Sequence, residues 1–184
     1  MSLSYGMDLQ AESIFQVQLD SAPEHVDRSG AWFYLGKVAW QRGDRARALA
    51  ALAAMETGYE GELTEEARYL RASAQLGAGD SEQAMELLYA LPKKSKWRYY
   101  LHYNAAAWFA EQEQWAAASE HFERFDEMPR DTAETLALFE RAQTAAGYAY
   151  LAADKPAAAR ESFEKIGLNG VAAEKALLGF GWAA

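Results

Sequence analysis

Residues Trp32 to Asp44 read WFYLGKVAWQRGD, and this stretch decides the fold that we expect for the chain. A tryptophan and a leucine precede the small residue Gly36, and a Gly-Asp pair ends the stretch. Glycine followed by aspartate is typical of a turn that ends one helix and begins another. Ala48 and Leu52 follow the turn, so the pattern predicts two helices that pack closely through small and bulky residues.

The same pattern recurs along the chain, as in a repeat protein. Ala48 has counterparts elsewhere in the chain, which gives the series Ala11, Ala48, Ala84, Ala118 and Ala159. The intervals between successive members are 37, 36, 34 and 41 residues. Bulky residues stand four positions after the last four of these alanines, at Leu52, Leu88, Phe122 and Phe163. Because a period of roughly 20 to 50 residues is typical of stacked repeats, we expect each repeat to pack against its neighbours.

The stretch from Trp32 to Asp44, with Ala48 and Leu52 after it, resembles the tetratricopeptide repeat. The shared features are the Trp-x-x-Leu-Gly opening, the Gly-Asp turn and the later small and large apolar positions. Ala31 to Gly43 and Lys175 to Ala183 are also similar to segments of repeat proteins associated with the bacterial cell envelope. The resemblance covers nearly the whole chain and implies helix pairs that recur about every 34 residues.

We therefore expect an all-α protein in which antiparallel helix pairs stack into a right-handed superhelical solenoid of the tetratricopeptide type. The predicted array occupies residues 1–184, with full repeats at 29–57, 64–92, 96–128 and 131–167. Residues 5–23 fit the second helix of a partial repeat, and residues 169–184 fit the first helix of another. Both ends then lie within a repeat, which predicts a fragment of a longer protein. The 41-residue interval indicates extra residues around Asp126 to Phe139, which lengthen the helix that follows.

The composition argues against several classes of partner and site. The chain has 18 Lys and Arg residues against 27 Asp and Glu, a net charge of −9, which disfavours binding to nucleic acid. No apolar run reaches the roughly 20 residues that a membrane-spanning helix needs. The absence of cysteine excludes disulfides, thiolate metal sites and thiol nucleophiles, and leaves the cellular compartment open.

The sequence also lacks the common motifs of phosphate, dinucleotide, serine-nucleophile and zinc sites. Its three histidines, His25, His102 and His121, fall in different expected elements, and none has a histidine three or four residues away. We interpret each histidine as structural or solvated, since single ligands rarely hold a metal. We expect no catalytic residue, no metal ligand and no cofactor, and therefore not an enzyme.

Lys93 to Tyr100, with the sequence KKSKWRYY, interleaves basic and aromatic residues. Such a run is suited to holding an acidic protein segment or a nucleic-acid strand. In the structural interpretation, Pro92 ends one helix, the lysines complement its negative end, and Trp97 with a following tyrosine packs the next repeat. We favour the structural interpretation, and among ligands an acidic protein segment outranks nucleic acid because the chain is acidic.

In tetratricopeptide proteins the first helix of each repeat lines a concave groove, and the resemblance implies such a groove here. Its positions correspond in this sequence to Phe33, Lys37, Trp40, Tyr69, Ser73, Tyr100, Tyr103, Arg141 and Tyr148. The aromatic lining suits a peptide whose apolar side chains dock between rings. The subfamily that binds chaperone C-terminal carboxylates needs a set of lysine, asparagine and arginine residues, which Phe33 and Lys37 do not match.

These observations predict a non-catalytic scaffold that binds a protein or peptide segment, in a bacterial cell-envelope assembly if the resemblance holds. The alternative is an accessory repeat arm of a larger enzyme or transporter whose active domain lies outside this chain. The resemblance favours a periplasmic or envelope-associated parent, with the cytoplasm as the alternative. Apolar faces at the two ends are expected to associate end to end as a result of truncation, through Ile14, Phe15, Leu178 and Trp182.

Overall fold

A computed structural model describes residues 2–21, 28–55, 61, 63–167, 170 and 172–183, and for residues 2–9 and 11 it describes the backbone alone. The described residues form ten α-helices and one 3₁₀-helix, without a β-strand. The all-α class predicted from the sequence is therefore confirmed. The chain divides into two compact units, Met1–Lys93 (unit 1) and Lys94–Ala184 (unit 2).

Unit 1 contains five helices. They are α1 (Ser2–Ser21), α2 (Ser29–Gln41), α3 (Arg45–Ala53), α4 (Thr64–Ala78) and α5 (Ser81–Ala90). Each helix packs against the next one along the chain, and α2 also contacts α4. The core of this unit lies between α2, α3 and α4, where Phe33, Leu52 and Leu70 are buried together.

Unit 2 contains the other five helices and the 3₁₀-helix. They are α6 (Lys96–Glu111), α7 (Trp115–Glu123), the 3₁₀-helix (Arg124–Glu127), α8 (Ala133–Ala152), α9 (Pro156–Glu164) and α10 (Ala173–Trp182). Each α-helix contacts its successor, and α8 contacts both α6 and α10. With 20 residues, α8 is longer than the 16-residue α6, in agreement with the extra residues predicted around Asp126 to Phe139.

Helix ends follow local signals in the sequence. The side chains of Asp44 and Asp80 accept hydrogen bonds from the first turns of α3 and α5. Thr132 caps α8 in a reciprocal arrangement with Thr135. Gly79 ends α4 with a φ of +86°, a left-handed conformation that glycine adopts without steric cost. Two α-helices fall within each of the four ranges predicted for full repeats, and the range 96–128 also includes the 3₁₀-helix.

Small residues on one helix face bulky residues on the next, as the repeat pattern predicts. A Cβ atom on Gly36 would lie 2.6 Å from Cγ of Leu52, so only glycine fits between α2 and α3 without a shift. In unit 2, the Phe163 ring of α9 fills the space beside both Gly147 of α8 and Gly179 of α10. A Cβ atom at either glycine would overlap this ring. Close helix packing thus depends on these three glycines.

Replacing Gly147 by leucine is expected to lower the free energy of unfolding of unit 2 by about 1–3 kcal/mol, because the new side chain overpacks the Phe163 ring. The matched control is Gly181→Leu in α10, where no atom lies within 4 Å of an added Cβ. Urea unfolding followed by circular dichroism measures both changes. Equal stabilities of the two variants would contradict the packing described here.

Candidate functional site

The nine residues predicted to line a groove lie in both units, and each unit is considered separately. Unit 1 carries five of them on α2 and α4, namely Phe33, Lys37, Trp40, Tyr69 and Ser73. Unit 2 carries the other four on α6 and α8, namely Tyr100, Tyr103, Arg141 and Tyr148. All nine therefore belong to the first helices of the predicted repeats.

In unit 1, the predicted residues are largely used for internal packing. Phe33 is only 1% exposed and lies in the core, and Ser73 is also buried, so neither forms part of an accessible surface. Trp40 and Tyr69 are half-buried against the cluster around Phe33. Lys37 forms an ion pair with Glu66 at 2.6 Å. The groove position of Phe33 is thus corrected to a core position, because its ring fills the space between α2, α3 and α4.

Tyr100 of unit 2 is also engaged within the chain. Its hydroxyl donates a hydrogen bond to Glu134 over 3.0 Å. Lys96 reaches the same carboxylate at 3.4 Å and lies 5.1 Å from the centre of the Trp97 ring. Ser95 caps α6 by accepting a hydrogen bond from the backbone of Trp97. The contacts of Tyr100 with α8 agree with the packing role that the structural interpretation gave to the aromatic residues, and the role that it gave to the lysines stays a prediction.

The structure brings together the other three predicted residues of unit 2. Tyr103, Arg141 and Tyr148 line a cavity of about 430 Å³ between α6, α8 and the start of α10. We call this space the α8 cavity, and its full lining is Tyr103, Arg141, Thr144, Ala145, Tyr148, Ala172 and Lys175. Its volume falls in the range of about 300–1,000 Å³ that is common for ligand sites. The sequence prediction missed Lys175, which lies in the predicted last helix but not at a groove position.

Hydrogen bonds hold the walls of the α8 cavity in place. The hydroxyl of Tyr148 donates to the backbone carbonyl of Lys175 over 2.8 Å, which links α8 to α10. The Tyr148 ring meets the edge of Phe163, with the ring centres 5.3 Å apart. Thr144 is buried, and its hydroxyl donates to the carbonyl of Glu140 over 2.7 Å. The side chains of Arg141 and Lys175 are exposed at the rim.

A pair of buried histidines lies elsewhere in unit 2. Nδ1 of His102 on α6 is 2.8 Å from Nδ1 of His121 on α7, and Phe109 stacks on the His121 ring with the ring centres 5.5 Å apart. Burial is the main cause that lowers the pKa of His102 to about 3 and that of His121 to about 4. Both rings are therefore neutral near pH 7, so that one nitrogen donates and the other accepts.

This pairing was missed because the sequence places the two histidines 19 residues apart, on different helices. Helical spacing carries a usable signal, since His102 precedes the buried Ala106 by four positions and His121 follows the buried Ala118 by three. Both histidines therefore lie on the apolar faces of their helices. The structural role predicted for them agrees with this burial, and His25 lies outside the described residues.

Two further cavities of about 250 Å³ have different characters. The one in unit 1 is lined in part by Glu12, whose carboxylate is paired with Arg42 and Arg47. The hydrogen bond from Arg42 is the main cause that lowers the pKa of Glu12. The cavity in unit 2 between α9 and α10 is lined mainly by apolar residues, including Phe163 and Phe180. Glu164 is the charged residue in the lining of this second cavity, so its opening is acidic, in contrast to the two cations of the α8 cavity.

Three of the four apolar residues that were predicted to be exposed near the two ends are exposed in the structure. Ile14, Leu178 and Trp182 are more than half exposed. Phe15 is half-buried, because its ring stacks on Tyr34 with the ring centres 5.1 Å apart. The end-to-end association predicted from these residues remains a prediction.

The described part of the chain contains no cluster of three or more histidine, cysteine, aspartate or glutamate side chains placed to hold a metal ion. None of its described helices combines the length and the hydropathy needed to span a bilayer. In comparisons with known proteins, no family model matches the chain, and no curated protein sequence matches it significantly.

Proposed function

We propose that this chain is a non-catalytic protein-interaction scaffold of the tetratricopeptide type, which binds a segment of another protein along the first helices of its repeats. The observation that carries the proposal is the α8 cavity, where Tyr103, Arg141 and Tyr148 from two such helices share one accessible space. Aromatic and arginine side chains are enriched where proteins bind one another, because they bury large areas and still form polar contacts.

The helix packing supports the repeat type. In each unit, glycine of a first helix packs against a bulky residue of the second helix, as seen at Gly36 with Leu52 and at Gly147 with Phe163. First helices also contact one another, α2 with α4 and α6 with α8. Such contacts between alternate helices are expected when helix pairs stack side by side. We infer that in such an array a partner segment binds on the side that holds the α8 cavity.

Site-specific photo-crosslinking in cells that naturally express this protein tests the proposal. The photoreactive residue p-benzoylphenylalanine replaces Tyr103 in the α8 cavity or, as the control, Glu161, which is exposed on the second helix α9. We expect one or a few proteins to be captured from position 103 and not from position 161. Identical products from both positions, or none from position 103, would contradict a scaffold that binds through this face.

A further inference from the structure

The rim of the α8 cavity is cationic, although the protein as a whole carries a net charge of −9. Arg141 and Lys175 are the charged residues of its lining, and no carboxylate contributes to that lining. Among the described residues, neither cation lies within ion-pair distance of an aspartate or glutamate. Two such cations at one opening favour an anionic group there, since both attract it.

The floor of the cavity favours an apolar group instead, where the floor denotes Thr144, Ala145, Tyr148 and Ala172. The hydroxyls of Thr144 and Tyr148 already donate to backbone carbonyls, and Ala145 and Ala172 add only methyl groups. A carbonyl or carboxylate placed on this floor would lose its hydrogen bonds to water without gaining a donor from Thr144 or Tyr148, which disfavours it there. An apolar side chain would instead contact the Tyr148 ring and the two alanines. The floor therefore selects an apolar group and the rim selects an anion.

We propose that the α8 cavity binds an acidic and apolar protein segment, in which an aspartate or glutamate side chain pairs with Arg141 and Lys175 while a neighbouring apolar side chain enters the floor. This inference rests on the proposed scaffold function and names the chemistry of its partner. The source of the carboxylate is a side chain within the segment, because both cations are exposed, whereas the buried lining residues Thr144 and Ala172 carry no cation. A chain terminus would bring its carboxylate and its backbone into the cavity together.

A displayed library of random 12-residue peptides, each followed by a fixed Gly-Ser tail, tests the proposal with the full chain as target. The tail moves the C-terminal carboxylate away from the random residues, and a second library that ends directly at its random residues examines the other source. Selected peptides are then measured by fluorescence anisotropy against the wild-type chain, Arg141→Glu and the matched control Lys155→Glu. Lys155 is exposed at the start of α9, so the control changes net charge equally but away from the cavity.

We expect enrichment of peptides in which an acidic residue adjoins a leucine, phenylalanine or similar residue. Binding should weaken about tenfold or more in Arg141→Glu and by less than about threefold in Lys155→Glu, because only the former places a like charge against the ligand. A rise in ionic strength from about 0.1 to 1 M should also weaken binding severalfold, as the screening length falls from about 10 to 3 Å. Unchanged circular dichroism of both variants establishes that the fold is intact.

Other outcomes separate the two proposals. Peptides that bind with equal affinity to the wild-type chain and Arg141→Glu, or that lack acidic residues, would overturn the acidic-segment inference and leave the scaffold proposal standing. Enrichment only in the library that ends at its random residues, or binding of free glutamate without any peptide, would overturn the side-chain source. Strong binding of this chain to a second copy of itself, lost in Arg141→Glu, would support the chemistry and identify the partner. No enriched peptide in either library would count against both proposals.

Discussion

Replacing Phe33 by alanine is expected to lower the free energy of unfolding of unit 1 by about 3–5 kcal/mol, the usual cost of truncating a buried phenylalanine. The ring is 1% exposed and packs with Leu52, Ala67 and Leu70. Its removal leaves a cavity between three helices that cannot close without moving the backbone. Because domains are stable by only about 5–15 kcal/mol, such a loss brings unit 1 close to unfolding at room temperature.

The matched control is Tyr89→Ala on α5, where the ring is 63% exposed and the expected cost is below about 1 kcal/mol. Urea unfolding followed by circular dichroism at 222 nm compares the two variants with the wild-type chain. A small and similar loss of stability in both variants would contradict the core position of Phe33 and support the accessible groove position that the family resemblance implied. The experiment therefore decides between a core role and a binding role for this residue.

Acidification from pH 7 to pH 5 is expected to destabilise unit 2 by about 2–4 kcal/mol through His102 and His121. Their folded pKa values of about 3 and 4 lie below the ordinary value near 6.5, because burial disfavours the charged rings. The nearby guanidinium of Arg124 acts in the same direction on both, as does that of Arg98 on His102. Between pH 6.5 and 4 the unfolded chain binds protons that the folded chain does not. Stability is therefore present above pH 6.5 and is lost as the pH falls towards the folded pKa values.

Urea unfolding at pH 7, 6 and 5, followed by tryptophan fluorescence, measures this dependence. Trp97, Trp108 and Trp115 report on unit 2, whereas Trp32 and Trp40 report on unit 1 and provide the internal reference. In the double variant leucine replaces both His102 and His121. The stability of unit 2 should then lose most of its pH dependence, because leucine does not titrate. A wild-type unit 2 equally stable at pH 7 and pH 5 would contradict the buried neutral pair.

Much of the fold could be predicted from the sequence, because helix ends and close helix contacts are governed by local rules. The turn predicted at Gly43 and Asp44 occurs between α2 and α3, and Asp44 caps α3 in the structure. The helix contacts predicted from small and bulky residues also occur, as at Gly36 and Leu52. These features depend on spacing along one or two neighbouring helices, which the printed sequence shows directly.

The candidate site was less predictable, because it depends on which direction each side chain takes in three dimensions. The family resemblance placed Phe33 in a groove. Burial of a phenylalanine side chain contributes about 1.5–3 kcal/mol of free energy, which favours a core position instead. Lys175 could not be assigned to the α8 cavity, since its position depends on how α10 begins beside α8. The contact between His102 and His121 depends in the same way on the packing of α6 against α7.

The Phe163 ring packs beside Gly147 of α8 and Gly179 of α10. The residue type that is tolerated at each of these three positions therefore depends on the other two. In related chains these positions are therefore expected to vary together, with alanine in place of a glycine accompanied by a smaller residue than phenylalanine at 163. A substitution that is harmful alone then becomes tolerable in the company of the others, which is the signature of energetic coupling between neighbours. Substitutions at these three positions are consequently expected to occur together during evolution, whereas an exposed position such as Gly181 can be substituted independently.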